Sequence, residues 1–291
     1  MKEKKIKRVV EEYLVRTTKE VKKIAEKGAG KEILGETINR PEDFEIGIDR
    51  IGEEILRKLL RKNKLKATVF NEPENRDIKE GEDFYGALDP FDGSMLYLRG
   101  LEHNWYTCLT FFDKECTPLV CGIADIINEK YYITEKDGNY VISMRKRKKK
   151  KIKPSPPKKL SEPIVLASYI MSSQYSSQFL RFFGDLVKNM DPKGLFYPHG
   201  GSYIYGLLAE GVIDAYVMFN EPRSEIDPGY TIAERAGCEV VSVNSNGNYE
   251  NYKFVPGKQH NKVEFLIAAS CPELRDQLIN HYLNNKKYER E

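Results

Sequence analysis

Two carboxylates three positions apart, Asp89 and Asp92, lie in the run Leu88-Asp89-Pro90-Phe91-Asp92-Gly93-Ser94-Met95-Leu96-Tyr97. Charges that close repel unless something positive sits between them, and a hard, oxygen-seeking cation such as Mg²⁺ is the natural occupant. Pro90 holds the first turn, and Gly93 lets the backbone come close to a ligand. A helix starting at Ser94 would aim its unbonded N–H groups at the same place, so a phosphate would fit between amides and metal. Taken alone, Asp-Pro and Asp-Gly are also ordinary turn punctuation. Further oxygen donors elsewhere in the chain would decide between the two readings.

Hydrolysis of a phosphate monoester is slow because an anion resists an electron-rich attacker. Paired metals screen the phosphate, activate a water and stabilise the leaving oxygen, and they need carboxylates from several parts of a chain. Here Glu72 follows the apolar stretch Thr68-Val69-Phe70, Asp49 opens a helical stretch, and Glu225 and Asp227 precede another. Each has a plainer reading. Asp49 complements a helix dipole, Ser94 is an N-cap, Glu72 is a solvated loop carboxylate, and Glu225 and Asp227 cap a helix. The ordered set is harder to explain that way.

The elements that must position these groups follow from periodicity. Ile6, Val9, Val10, Tyr13 and Leu14 recur at helical spacing, as do Ile51, Ile55, Leu56, Leu59 and Leu60 in a second helix from Asp49. Gly28 to Phe44 reads as a loop. Strands are expected at Lys66 to Asn71, Phe84 to Leu88, Trp105 to Phe112, Leu119 to Ile127 and Tyr131 to Thr134. Arg145 to Lys159, a Lys/Arg run followed by Pro154, Pro156 and Pro157, reads as a solvated crossing. Beyond it strands (Ile164 to Ala167, Ile213 to Phe219, Glu239 to Val243, Phe265 to Ala269) alternate with helices (Ser176 to Asn189, Ser202 to Glu210, Asp227 to Ala236, Pro272 to Leu283). That alternation indicates an α/β layer.

Composition narrows the function class. The 291 residues hold 40% hydrophobic content, 47 basic and 44 acidic residues, and a net charge of +3. This is a globular chain with a surface dense in both signs, and the abundance of Lys and Glu hints at a heat-adapted source. Cys108, Cys116, Cys121, Cys238 and Cys271 are scattered without a Cys-x-x-Cys pair, so neither zinc nor a disulfide framework is expected and a cytoplasmic location is. No signal peptide or long uncharged apolar run is visible, so no membrane partner is expected. The histidines, His103, His199, His260 and His281, are not spaced as metal ligands, and Tyr203 and Tyr205 read as packing residues. The basic run lacks interleaved aromatics, so no nucleic-acid partner is expected.

The residues quoted above resemble the inositol monophosphatase superfamily, which also includes archaeal fructose-1,6-bisphosphatases. The signature Asp-Pro-x-Asp-Gly-Thr/Ser is matched at Asp89 to Ser94, the upstream strand-end glutamate by Glu72, and the aspartate of the second helix by Asp49. Ala-x-Gly-x-x-Asp-Ala-Tyr is matched at Ala209, Gly211, Asp214, Ala215 and Tyr216. The last signature, Trp-Asp-x-Ala-Ala-Gly, corresponds to Ser224-Glu225-Ile226-Asp227-Pro228-Gly229, followed by Ala236-Gly237. The departures are Glu225 for the late aspartate, with Asp227 as the other candidate there, Leu96 for an asparagine, and Arg235 for the acidic residue before Ala-Gly.

The resemblance implies an α/β fold, an α-β-α-β-α sandwich of the sugar phosphatase type. Residues 1–153 would carry most metal ligands, and residues 154–291 would close the cleft. It implies two or three Mg²⁺ ions held by Glu72, Asp89, the Phe91 carbonyl, Asp92 and Glu225. Asp49, Glu72 and Ser94 would serve the attacking water, Gly93 and Ser94 amides the phosphate, and Gly200, Gly201 and Ser202 the leaving group. The implied activity is a lithium-sensitive phosphomonoesterase, acting as a homodimer on inositol-1-phosphate or fructose-1,6-bisphosphate. The alternatives are a catalytically impaired phosphate-binding homologue and an adenosine 3′,5′-bisphosphate phosphatase.

Overall fold

The computed structural model describes residues 2–37, 40–73, 76–244 and 246–287. Helix α1 (Lys2–Ala25) leads into a hairpin of β1 (Ile33–Thr37) and β2 (Arg40–Ile46), then α2 (Asp49–Lys62). Eight strands make the first sheet: β3 (Ala67–Asn71), β4 (Ile78–Lys79), β5 (Phe84–Asp92), β6 (Tyr106–Phe112), β7 (Pro118–Asp125), β8 (Lys130–Glu135), β9 (Gly138–Ser143) and β10 (Lys149–Ile152). Their order is β10-β9-β8-β7-β6-β5-β3-β4, antiparallel except for β3 beside β5. The short helix α3 (Ser94–Leu98) leaves the end of β5.

The second sheet holds β11 (Val165–Ala167), β12 (Leu195–Tyr197), β13 (Ala215–Pro222), β14 (Glu239–Val243), β15 (Tyr249–Asn251) and β16 (Lys262–Ala269). Its order is β12-β11-β13-β16-β14-β15, with parallel pairing only around β11. Helices α4 (Ser173–Lys188), α5 (Ile204–Glu210), α6 (Tyr230–Ala236) and α7 (Pro272–Lys287) pack on it.

Side-chain alternation along the strands explains the layering, because successive residues face opposite sides of a sheet. Leu109 and Phe111 of β6 join the α1 and α2 residues Val9, Tyr13, Leu56 and Leu60 in one apolar cluster. Cys108 and Phe112 of the same strand face the other way, toward Ile204 and Leu208 of α5 and Ile232 of α6. Tyr216 and Met218 of β13 close that middle layer, while Val217 and Phe219 turn outward to Phe179 and Phe183 of α4 and Leu274 and Leu278 of α7. The five layers run α-β-α-β-α.

Three sequence expectations need correction. The segment read as a loop from Gly28 to Phe44 holds β1 and most of β2, which pair as a hairpin, with positions 38 and 39 outside the described residues. Gly35 and Pro41 interrupt the apolar alternation there and conceal it. The basic run is not wholly a loop, since Lys149–Ile152 pairs with β9 as the outer strand of the first sheet. Ile152 anchors it in the core, and lysines along an exposed edge discourage strand-to-strand aggregation. Asp227 does not begin a helix. A 3₁₀ turn spans Arg223–Glu225 and α6 starts only at Tyr230, after the Pro228-Gly229 break.

Residues 153–164 carry the chain from one sheet to the other, and Asp214 fastens them. Its buried carboxylate accepts hydrogen bonds from Ser155 Oγ (2.5 Å), Lys158 Nζ (2.9 Å) and Val165 N (2.8 Å). The Asp of the Asp-Ala-Tyr motif is therefore a structural clip, away from the cavity described below. Asp214→Asn keeps the volume but turns one acceptor into a donor facing Lys158. It is expected to cost about 1–3 kcal/mol of stability, read from the midpoint of chemical denaturation. An unmoved midpoint would mean that the clip contributes nothing.

Candidate active site

One cavity opens where the C-terminal end of β5 meets the second sheet's loops. Asp49, Glu72, Asp89, Phe91, Asp92, Gly93, Ser94, Gly200, Gly201 and Glu225 all line it. Of the residues singled out from sequence, Ser202 is off its wall, buried beside Asp89. Asp227 is also absent from it: its buried carboxylate accepts from Tyr252 Oη at 2.6 Å and faces Arg223 at 3.9 Å. Burial pushes the Asp227 carboxyl up to about 7, against the opposing pull of Arg223 and Tyr252.

Local structure positions each group. Asp89 sits near the end of β5, where its carbonyl accepts from Thr107 Oγ1 (3.1 Å), which lies 2.7 Å from Tyr13 Oη. The chain kinks between Asp89 and Asp92, where the β5–β6 register shifts, so both side chains reach the cavity. Gly93 has φ 122°, and a Cβ there would press on the Asn104 carbonyl oxygen. Gly201 (φ 121°) approaches so closely that a Cβ would overlap the Asp92 carboxylate. Asp49 is no solvated helix charge. It is buried, with Oδ2 accepting from Ile46 N (2.6 Å) and Oδ1 lying 2.9 Å from Ser94 Oγ. Ser94 Oγ also stands 3.0 Å from the Phe91 carbonyl, so its single proton has two acceptors. Behind Glu72, Asn71 accepts from the Glu72 amide (3.0 Å) and donates to the buried Glu53 (2.7 Å), which also pairs with Arg76.

Asp89, Asp92 and Glu225 form a cluster whose ligand oxygens lie within 4.8 Å of one another. Glu72 lines the same cavity outside that cluster. Burial first, then the charges of Asp92 and Glu225, drives the Asp89 carboxyl well above the usual carboxylate range. A divalent cation would reverse that balance, since three carboxylates at this spacing offer the all-oxygen donor set that Mg²⁺ takes at about 2.0–2.1 Å. The donor set and its spacing fit such an ion.

Sequence reasoning missed part of the wall: Asn104, Tyr169, Met171 and His199 also line the cavity. His199 stands 5.4 Å, edge to face, from His103. Burial and then His103 hold its imidazole below the usual pKa, so it is neutral at pH 7. Tyr203, read as a packing residue, packs 4.0 Å from Tyr106 and lines the cavity as well. The only signal for His199 was its position directly before Gly200-Gly201.

Comparison with known proteins bears on the family and the fold. The model of the inositol monophosphatase family matches residues 6–286. The fold is similar to the extragenic suppressor protein suhB of Bartonella henselae, with TM-score 0.72 and 15% identity over 94% of this chain and 97% of that one. An inositol monophosphatase from Anabaena gives TM-score 0.71 and 13% identity over 98% and 97%. A Thermotoga maritima IMPase gives TM-score 0.71 and 16% identity over 94% and 96%. No curated protein sequence matches the chain.

Proposed function

This chain belongs to the inositol monophosphatase family, and from that premise we propose that it is an Mg²⁺-dependent phosphomonoesterase acting on a small sugar or polyol phosphate. The observation that carries the reading is the convergence of Asp89, Asp92 and Glu225 on the cavity that also receives the Asp49–Ser94 pair. Asp89, Asp92, Glu225, Glu72 and the Phe91 carbonyl would hold the ions, the first half of the chain supplying most ligands and the second closing the cleft. When bound, divalent cations supply charge screening for the phosphate and a more acidic water.

The protein's own groups do the rest. Asp49 and Ser94 form the acceptor pair that orients a water for attack on phosphorus. Its proton passes to the Ser94 hydroxyl as that hydroxyl gives its own to Asp49 Oδ1; the water oxygen bonds to phosphorus, the bond from phosphorus to the leaving alcohol's oxygen breaks, and that oxygen takes a proton from solvent. The Gly93 amide and the first amide of α3, at Ser94, would donate to the phosphoryl oxygens, since the opening amides of a helix have no partner inside it. Gly200 and Gly201, packed so closely on Tyr216 and Asp92 that neither could carry a side chain, would line the side of the cavity that takes the leaving alcohol.

The test is phosphate release from inositol-1-phosphate, fructose-1,6-bisphosphate and adenosine 3′,5′-bisphosphate, with Mg²⁺, with EDTA and with added Li⁺. Release with Mg²⁺ that stops in EDTA and weakens in Li⁺ is the expected result. A folded protein that Mg²⁺ stabilises against heat, yet that releases phosphate from no ester, would instead be the impaired phosphate-binding homologue.

A further inference from the structure

A chain of tyrosine hydroxyls ends on one amide at the cavity wall. Tyr203 is buried and stacks on Tyr106 at 4.0 Å with the rings 5° from parallel, which ties a loop of the second half to β6. Its hydroxyl lies 3.3 Å from that of Tyr197, and the Tyr197 hydroxyl donates to Asn104 Oδ1 at 2.9 Å. Tyr197 has a single hydroxyl proton, and Asn104 takes it, so Tyr203 is the donor in the first pair. Oδ1 is tied, and Nδ2 makes no hydrogen bond among the described residues.

The backbone of Asn104 is fixed as well. Its φ is 55°, a left-handed conformation that asparagine tolerates better than most side chains, and its carbonyl packs against Gly93 of the phosphate turn. An amide held at both backbone and oxygen, on the wall of the cavity, has given up its rotamer freedom in advance. Its two remaining donors suit a neutral oxygen better than a second phosphate, which would favour a cation.

We propose that Asn104 is a specificity-determining residue of this site. Its Nδ2 donates to a hydroxyl oxygen on the leaving group, so the site selects esters of polyols or sugars that carry a free hydroxyl near the phosphate. Tyr197 and Tyr203 act through Asn104 as positioning residues. The proposal rests on the phosphomonoesterase reading.

Two esters separate the outcomes: inositol-1-phosphate, rich in hydroxyls, and 4-nitrophenyl phosphate, which has none. Asn104→Gly suits the positive φ and removes the amide. The ratio of KM for the inositol ester to KM for the nitrophenyl ester should rise about tenfold, with kcat for the inositol ester within about twofold. Tyr197→Phe leaves Asn104 in place but unties Oδ1, and should move the same ratio in the same direction by about threefold. An unmoved ratio in both variants would overturn the proposal. So would a wild-type protein that hydrolyses only the nitrophenyl ester, which would leave the phosphomonoesterase reading standing. A wild type that releases phosphate from neither ester would overturn that reading and this proposal together.

Discussion

Asp92→Asn is expected to lower turnover on the order of 10²–10³-fold while the protein stays folded. Its carboxylate belongs, with those of Asp89 and Glu225, to a cluster whose ligand oxygens lie within 4.8 Å of one another. On the proposed reading, replacing one carboxylate by an amide would remove a unit of negative charge from the donor set and an anionic oxygen from the sphere of a bound Mg²⁺, which tolerates such a loss badly. Stability should not fall, and without metal it should rise, because the carboxylates of Asp92 and Glu225 work against ionising the buried Asp89. Heat denaturation reads both effects. Wild type should gain melting temperature on adding Mg²⁺, as any ligand of the native state alone stabilises it, and the variant should gain far less. Turnover close to wild type, with the same Mg²⁺ response, would remove Asp92 from the site.

Much of the scaffold behind this expectation was legible as pattern. The stripe Ile6, Val9, Val10, Tyr13 and Leu14 is wholly buried, as helical spacing predicts. The strands of both sheets alternate between two cores. Legibility failed where local signals were short or mixed. The β1–β2 hairpin carries turn residues within its strands, and β10 consists mostly of lysines, so its pairing with β9 comes from the neighbouring strand and Ile152 rather than from its own propensity. Helix starts shifted where tertiary contacts took over. Ser202, expected to open a helix, instead lies buried beside Asp89, and α5 begins at Ile204.

The candidate site divides along the same line. Asp89, Asp92, Gly93 and Ser94 fall within one run of six residues, so one turn brings them together and spacing alone exposes them. Asn104, Tyr169, Met171 and His199 come from separate loops that meet only in the folded chain. No periodicity marks a residue whose significance is the company it keeps across the cleft, and Asn104 is intelligible only once Tyr197 and Tyr203 are seen to hold it.

Glu225 and Asp227 present the case where sequence left two choices, and the geometry separates them. Glu225 ends the 3₁₀ turn and faces Asp89 and Asp92, while Asp227 turns into the protein toward Tyr252 and Arg223. Glu225→Gln, which removes the charge at constant length, is expected to lower turnover on the order of 10²–10³-fold and to blunt the stabilisation by Mg²⁺. Glu225→Asp keeps the charge but withdraws the oxygens by about 1.5 Å, one carbon–carbon bond, so its activity should fall between wild type and Glu225→Gln. Asp227→Asn should leave turnover within about threefold, since its carboxylate does not line the cavity, and should act instead through the packing of Tyr252. Steady-state kinetics on the best ester, run beside thermal melts with and without Mg²⁺, distinguishes the three. If Asp227→Asn abolished turnover while Glu225→Gln spared it, the late ligand would have been assigned to the wrong carboxylate. If Glu225→Asp exceeded wild type, the longer side chain would be a handicap the protein carries rather than the length its cluster is built around.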